Sequence, residues 1–74
     1  MIGVEVSFWG EKIYPVRFML NGRRYEIKRV VIRFERKDGG REFLCFGVDT
    51  GGAMAELRMD KRNFEWKLFS MESI

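Results

Sequence analysis

Apolar and polar residues alternate with a period of two along most of this chain. Val4, Val6 and Phe8 alternate with Glu5 and Ser7; Val16, Phe18 and Leu20 alternate with Arg17 and Met19; Phe64, Trp66 and Leu68 alternate with Glu65 and Lys67. Successive side chains of a strand point to opposite faces, so each apolar triplet is expected to face a core, with Trp66 largely buried. Turn signals separate the alternating runs. Asn21-Gly22 is the strongest, because a type I′ hairpin turn needs positive φ at both central residues. Gly10-Glu11-Lys12, Asp38-Gly39-Gly40, Asp49-Thr50-Gly51-Gly52 and the glycine-free Asp60-Lys61-Arg62-Asn63 supply the others. Six strands are predicted, near residues 2–9, 13–20, 23–36, 41–48, 54–59 and 64–69.

The third of these is too long for a regular strand, and its phase changes. Tyr25 and Ile27 are odd-numbered, whereas Val30, Ile32 and Phe34 are even-numbered. A one-residue slip exchanges the faces unless a bulge or sharp bend near Lys28-Arg29 absorbs it. The fourth strand looks apolar on both faces, with Phe43 and Cys45 on one and Leu44, Phe46 and Val48 on the other. That suits a strand covered on both sides, by barrel closure or by a partner, and it keeps a homodimer open. Pro15 has no N–H for a ladder, so a strand start or an edge is expected there.

No stretch carries a sustained helical period with caps. The predicted fold is all-β, a six-stranded antiparallel meander curled into a small SH3-like barrel or half-barrel. An OB-fold is the nearest rival, but it usually needs a helix between the third and fourth strands. At 74 residues there is room for one domain, assigned to residues 1–69, with 70–74 as a C-terminal tail. No apolar run is long enough for a membrane span, and the start lacks a basic segment before an apolar one, so a cytoplasmic protein is expected.

Net charge is a modest +3, but its distribution is uneven. Residues 23–41 hold eight Lys/Arg against three acids, a net +5, while the other 55 residues hold six bases against eight acids. The candidate binding residues are therefore Arg23, Arg24, Lys28, Arg29, Arg33, Arg36, Lys37 and Arg41, with Tyr25 as an interleaved ring. Uninterrupted alternation places Arg29 and Arg33 on one face with Glu35, and Lys28 and Arg36 around the other. Curled β-domains bind single-stranded nucleic acid with cations on phosphates and rings on bases. The same cations on a solvated strand serve equally to keep an exposed edge from pairing with another chain.

Other chemistries find little support. Asp49-Thr50-Gly51 matches the triplet of aspartic proteases, but Gly52 follows where those enzymes carry alanine or serine. No glycine occurs after Gly52 to build their second apolar loop, so a hairpin turn is the expectation. Cys45 stands among apolar neighbours, and with no histidine in the chain it has no base to activate it. One cysteine and no histidine exclude structural zinc, and no acidic spacing resembles a calcium loop. No catalytic residue, metal or cofactor is assigned.

The order Pro15, Phe18, Gly22-Arg23-Arg24-Tyr25, Val48 before Thr50-Gly51, Glu56-Leu57 and Trp66-Lys67-Leu68 resembles a family of small bacterial β domains of unknown function. Its members read Pro-x-x-Phe, Gly-Arg-x-Tyr, a tyrosine-glutamate-leucine strand and a final Trp-x-Leu. This chain departs from them at Ala55, where the family places the tyrosine, and at Phe34, where it favours a tryptophan. Some members lie beside genes for translesion-type DNA polymerases, so the resemblance implies a role in DNA transactions and supplies no site residues. Together these readings point to a non-enzymatic binding module for single-stranded nucleic acid. The alternative is a protein-interaction or homo-oligomeric assembly module that docks through a strand edge or apolar patch.

Overall fold

The alternating segments become seven strands in the structure, a computed structural model that describes residues 2–73. β1 (Gly3–Trp9), β2 (Lys12–Leu20) and β3 (Arg23–Glu26) form one antiparallel sheet in that order. β4 (Arg29–Asp38), β5 (Arg41–Asp49), β6 (Ala53–Asp60) and β7 (Trp66–Ser73) form a second. The fold is all-β. The described residues contain no helix long and apolar enough to cross a membrane.

Two hairpins form as their turns dictate. Asn21 and Gly22 take φ of 51° and 78°, and Gly39 and Gly40 take 58° and 82°. Each pair occupies a two-residue loop with positive φ at both positions, which matches the right-handed twist of the flanking strands.

The expected third strand is two strands in two sheets. The Ile27 N–H donates to the Val16 carbonyl at 3.0 Å and extends the first sheet; the Lys28 N–H donates to the Asp49 carbonyl at 2.7 Å and enters the second. The phase change between Ile27 and Val30 is thus a corner at which the chain changes sheets. Where six strands in a barrel or half-barrel were expected, the chain forms seven strands in two antiparallel sheets that share this corner, with no closed barrel.

One core fills the space between the sheets. β5 contributes Leu44, Phe46 and Val48, β6 contributes Ala55, Leu57 and Met59, and the first sheet contributes Phe18 with Ile2 just ahead of β1. Phe18, Phe46 and Leu57 are fully buried. Half-buried Val4, Leu20, Ile27, Val30, Trp66 and Leu68 ring this cluster. Trp66 tilts against Phe46 at 5.7 Å between centroids; it packs against the core on the expected face and closes it from the side, with part of its ring left to solvent.

Phe8 and Phe64, assigned to the core by alternation, are 71% and 69% exposed. Phe8 sits at the far end of the β1–β2 hairpin, beyond the Arg17–Leu20 segment that β3 covers. Phe64 belongs to a turn and not to β7. It takes φ of 61°, and its N–H donates to the Asp60 carbonyl at 2.7 Å. Asp60 is buried and accepts from the Arg62 N–H at 2.9 Å, so this glycine-free turn is built on one carboxylate.

Three bulges shift register, at Glu5/Val6, Val30/Ile32 and Glu56/Leu57. Pro15 lies inside β2 beside the first of them, and β3 reaches only to the carbonyl of Val16, so β2 is locally an edge at the proline. The expected C-terminal tail is strand as far as Ser73, paired to Ala53, with Ser70 paired to Glu56. Ile74, the end of that tail, lies outside the described residues.

Phe46→Ala is expected to cost about 3–5 kcal/mol. A chain of 74 residues has roughly 4–11 kcal/mol in total, so the variant is close to unfolding at room temperature. Trp66→Ala should cost less, because part of its ring already meets solvent. Urea denaturation of both variants checks the ranking, and the opposite order would make Trp66 the core anchor.

Candidate nucleic-acid interface

The basic segment runs along two sheet edges. β3 is the last strand of the first sheet, β4 is the first strand of the second, and the Ile27-Lys28 corner joins them. Arg23, Arg24, Lys28, Arg29, Arg33, Arg36 and Lys37 are exposed, while Arg41 and Tyr25 are half-buried.

Register assigns each cation a face. Arg29 pairs with Asp49, Phe34 with Cys45 and Arg36 with Phe43, all on the outer side of the four-stranded sheet. Arg33 pairs with Phe46, Glu35 with Leu44 and Lys37 with Glu42, on the side that faces the core further along β5. Arg29 therefore shares a face with Arg36 and not, as uninterrupted alternation implied, with Arg33. The bulge between Val30 and Ile32 takes up the extra residue and reverses the phase. Gly47 makes room for it, since a Cβ there would lie 2.8 Å from the Ile32 side chain.

Ion pairs sort these cations into compensated and free. Arg29 lies 3.7 Å from Asp49, Lys37 lies 3.5 Å from Glu42, and Arg41 lies 3.5 Å from the buried Asp60. Arg23, Arg24, Lys28, Arg33 and Arg36 have no carboxylate partner among the described residues. Two of the three acids on the segment are held by cations outside it. Glu26 accepts from Arg17 at 3.1 Å, and Glu35 is bound by Lys61. Arg17 is shared with Glu5, so Glu35 is the acid of this segment that has an outside cation to itself, and the rim from Arg23 to Arg36 is more cationic in the folded chain than its composition indicates by about that one charge.

A notch of about 440 Å³ opens between the β4–β5 turn and Lys61-Arg62. Lys37, Arg41, Lys61 and Arg62 line it together with Asp38 and Glu42; the first three each have a carboxylate, so most of its cationic charge is offset.

The candidate stacking ring is engaged. Tyr25 stacks on Phe18 at 4.9 Å and 15°, and the Arg23 guanidinium lies 5.3 Å from its centroid. It flanks the core and orients Arg23. The exposed rings are elsewhere, at Phe8, Trp9, Phe64 and Phe69. Alternation cannot locate them, because each lies at a hairpin tip, a turn or a bulge.

The outer face of the four-stranded sheet has its own side-chain layer. The Arg58 Nε donates to Glu56 at 2.8 Å, and its guanidinium lies 3.4 Å from the centroid of Phe69, the extra residue of the β7 bulge. Beneath it Cys45 is fully buried, and that burial pushes its thiol pKa up. Ile32 and Phe69 remain 55% and 57% exposed on this face.

Asp49-Thr50-Gly51 forms the β5–β6 turn. The Gly51 N–H donates to the Asp49 carboxylate at 2.8 Å, and Thr50 donates to the Ala53 carbonyl through both its N–H and its hydroxyl. Local backbone and Arg29 thereby engage the Asp49 carboxylate, as an ordinary Asx turn requires.

The Glu35–Lys61 pair gives a pH signature. Its hydrogen bond to Lys61 lowers the Glu35 pKa, so this contribution is complete above the unfolded carboxylate pKa and is lost as pH falls through the folded one. The same bond raises the Lys61 pKa, so that contribution is complete below the unfolded lysine pKa and is lost as pH rises through the folded one. Both groups are exposed and screened, so the effect is small. Lys61→Met should flatten the melting-temperature profile at its acid end at low salt, with the difference from the natural chain fading in high salt; identical profiles would dissolve the pair. Comparison with family models, curated proteins and solved structures returns no match to this chain.

Proposed function

We propose that this protein is a non-enzymatic binding module that takes single-stranded nucleic acid along the rim formed by β3, the Ile27-Lys28 corner and β4. One observation carries this reading: Arg23, Arg24, Lys28, Arg33 and Arg36 lie on one continuous run of edge strand without carboxylate partners among the described residues, while Glu35 is paired from outside it by Lys61 and Glu26 shares Arg17 with Glu5. A row of free cations beside low-dielectric protein attracts a polyanion and releases its counterions. Phosphate contacts carry no sequence information, so the binding is sequence-indifferent. The resemblance to domains encoded beside translesion-type polymerases supports the same direction. Within this proposal the two sheets joined at one corner are read as an SH3-like half-barrel, and the protein as cytoplasmic.

A second reading, a protein-docking module, rests on a different observation. β5 is apolar on both faces, but the three-stranded sheet covers only one of them. Ile32 and Phe69 stay exposed on the other, around Phe43 and Cys45.

The discriminating measurement is a fluorescence-anisotropy titration of a labelled oligonucleotide at two salt concentrations. Three or four phosphate contacts give a slope of log affinity against log salt of about −2 to −4. Arg24→Glu/Arg36→Glu, both at exposed positions, should abolish binding with an unchanged circular-dichroism spectrum. An absence of binding at low salt, or equal binding by the double variant, would eliminate the nucleic-acid reading and leave the docking one.

A further inference from the structure

β4 is a ten-residue strand with β5 on one side and, among the described residues, no strand on the other. An unpaired edge of that length is a template for another strand, and natural proteins guard such edges with charge and bulges. Both guards are present. The Val30/Ile32 bulge ends regular pairing at the start of the strand, and cations punctuate the rest. The guard is incomplete in one register.

Antiparallel pairing of two copies about a twofold axis keeps like faces together only if the axis passes through a residue. Centred on Arg33, that residue opposes itself, and centred on Glu35, two carboxylates meet while Arg33 opposes Lys37. Centred on Phe34, Arg33 of each copy lies opposite Glu35 of the other, and Ile32 lies opposite Arg36. Phe34 then meets Phe34 on the outer face. No like charges oppose each other within Ile32–Arg36, the segment left regular by the bulge.

The structure leaves the needed groups available. Arg33 has no carboxylate partner among the described residues, and its guanidinium rests 5.9 Å from the Phe46 centroid. Glu35 uses Oε1 for Lys61, which leaves Oε2 as an acceptor. Ile32 is 55% exposed, so apolar surface is buried along with the charge pairs.

We propose that a second copy of this chain pairs with β4 edge to edge, in antiparallel register about Phe34, joining two four-stranded sheets into one of eight. This deepens the docking reading by naming its partner. The two reciprocal Arg33–Glu35 pairs select the register, because cross-strand opposite charges stabilise and like charges destabilise.

Sedimentation velocity over a wide concentration range at physiological salt is the test. The natural chain should show a reversible monomer–dimer equilibrium. Arg33→Glu and Glu35→Arg should each weaken it about tenfold or more, since each puts like charges opposite twice. The double exchange Arg33→Glu/Glu35→Arg should restore it. Phe34→Cys in a Cys45→Ser background should form a covalent dimer under oxidised glutathione, because residues on the axis approach within disulfide reach. A natural chain that stays monomeric, single reversals that dimerise like it, or a double exchange that fails to restore pairing while folded by circular dichroism would each overturn the proposal. Glu35→Arg also separates this inference from nucleic-acid binding. It should lose the dimer while binding the oligonucleotide at least as well as the natural chain, because it removes an acid from the rim and adds a cation.

Discussion

The architecture depends on one peptide step. The Ile27 N–H completes the first sheet on Val16, and the next N–H, that of Lys28, opens the second on Asp49. Backbone groups near a core must find partners, and here consecutive ones find them in different sheets. A straight strand through this point would carry either Tyr25 and Ile27 or Val30 away from the core. The corner lets both sets turn inward, over Phe18 on one side and Val48 on the other. It also leaves β3 and β4 as the last and first strands of their sheets, so the most basic part of the chain becomes two exposed edges.

Much of this was legible before the structure. The paired positive-φ positions at Asn21-Gly22 and Gly39-Gly40 follow from residue type, and the change of parity between Ile27 and Val30 marked the place where the chain bends. The consequence of that bend was not legible. A bulge, a corner within one sheet and a switch between sheets all produce the same slip, and only the partners of Ile27 and Lys28 distinguish them. The same ambiguity recurs at Val31, whose insertion opposite Gly47 moved Arg29 to the face of Arg36. Phe8 and Phe64 failed for other reasons: alternation does not report whether another strand covers the side Phe8 faces, and Phe64 lies in a turn, outside any strand. Residues 70–73 have too little apolar content to read as strand, yet they pair because β6 offers a complete ladder from Ala53 to Met59. The candidate cations were all visible in the sequence, and the two-residue Asn21-Gly22 loop sets Arg17 opposite Glu26; the Glu35–Lys61 pair was not visible, since it joins residues far apart in the chain.

That hidden pairing changes the electrostatics. By composition the basic segment carries three acids that offset its cations. In the fold, Glu35 is turned to Lys61 and Glu26 to Arg17, which Glu5 shares, so the free charge of the rim rises chiefly through Glu35. Elsewhere the opposite holds: Lys37 and Arg41 are discharged by Glu42 and Asp60, which leaves the notch beside them nearly neutral despite its many bases. A concavity lined by lysine and arginine is therefore a poorer polyanion site here than a convex edge. Net interaction with phosphate depends on cations that retain their charge uncompensated, not on their number.

Glu35 is where the two proposed activities meet. Held by Lys61, it subtracts nothing from the rim and leaves Arg33 free for a phosphate. Set opposite a second β4, the same carboxylate would claim Arg33 for an interchain pair. The two uses are mutually exclusive at Arg33 but not at Arg23, Arg24 or Lys28, which lie outside the paired segment. Self-pairing and nucleic-acid binding should then be linked with a negative sign, each weakening the other by the same factor. The coupling runs through Arg33, which the partner's carboxylate would claim, and through Arg36, which lies in the same paired segment, whereas Arg23, Arg24 and Lys28 serve the nucleic acid alone.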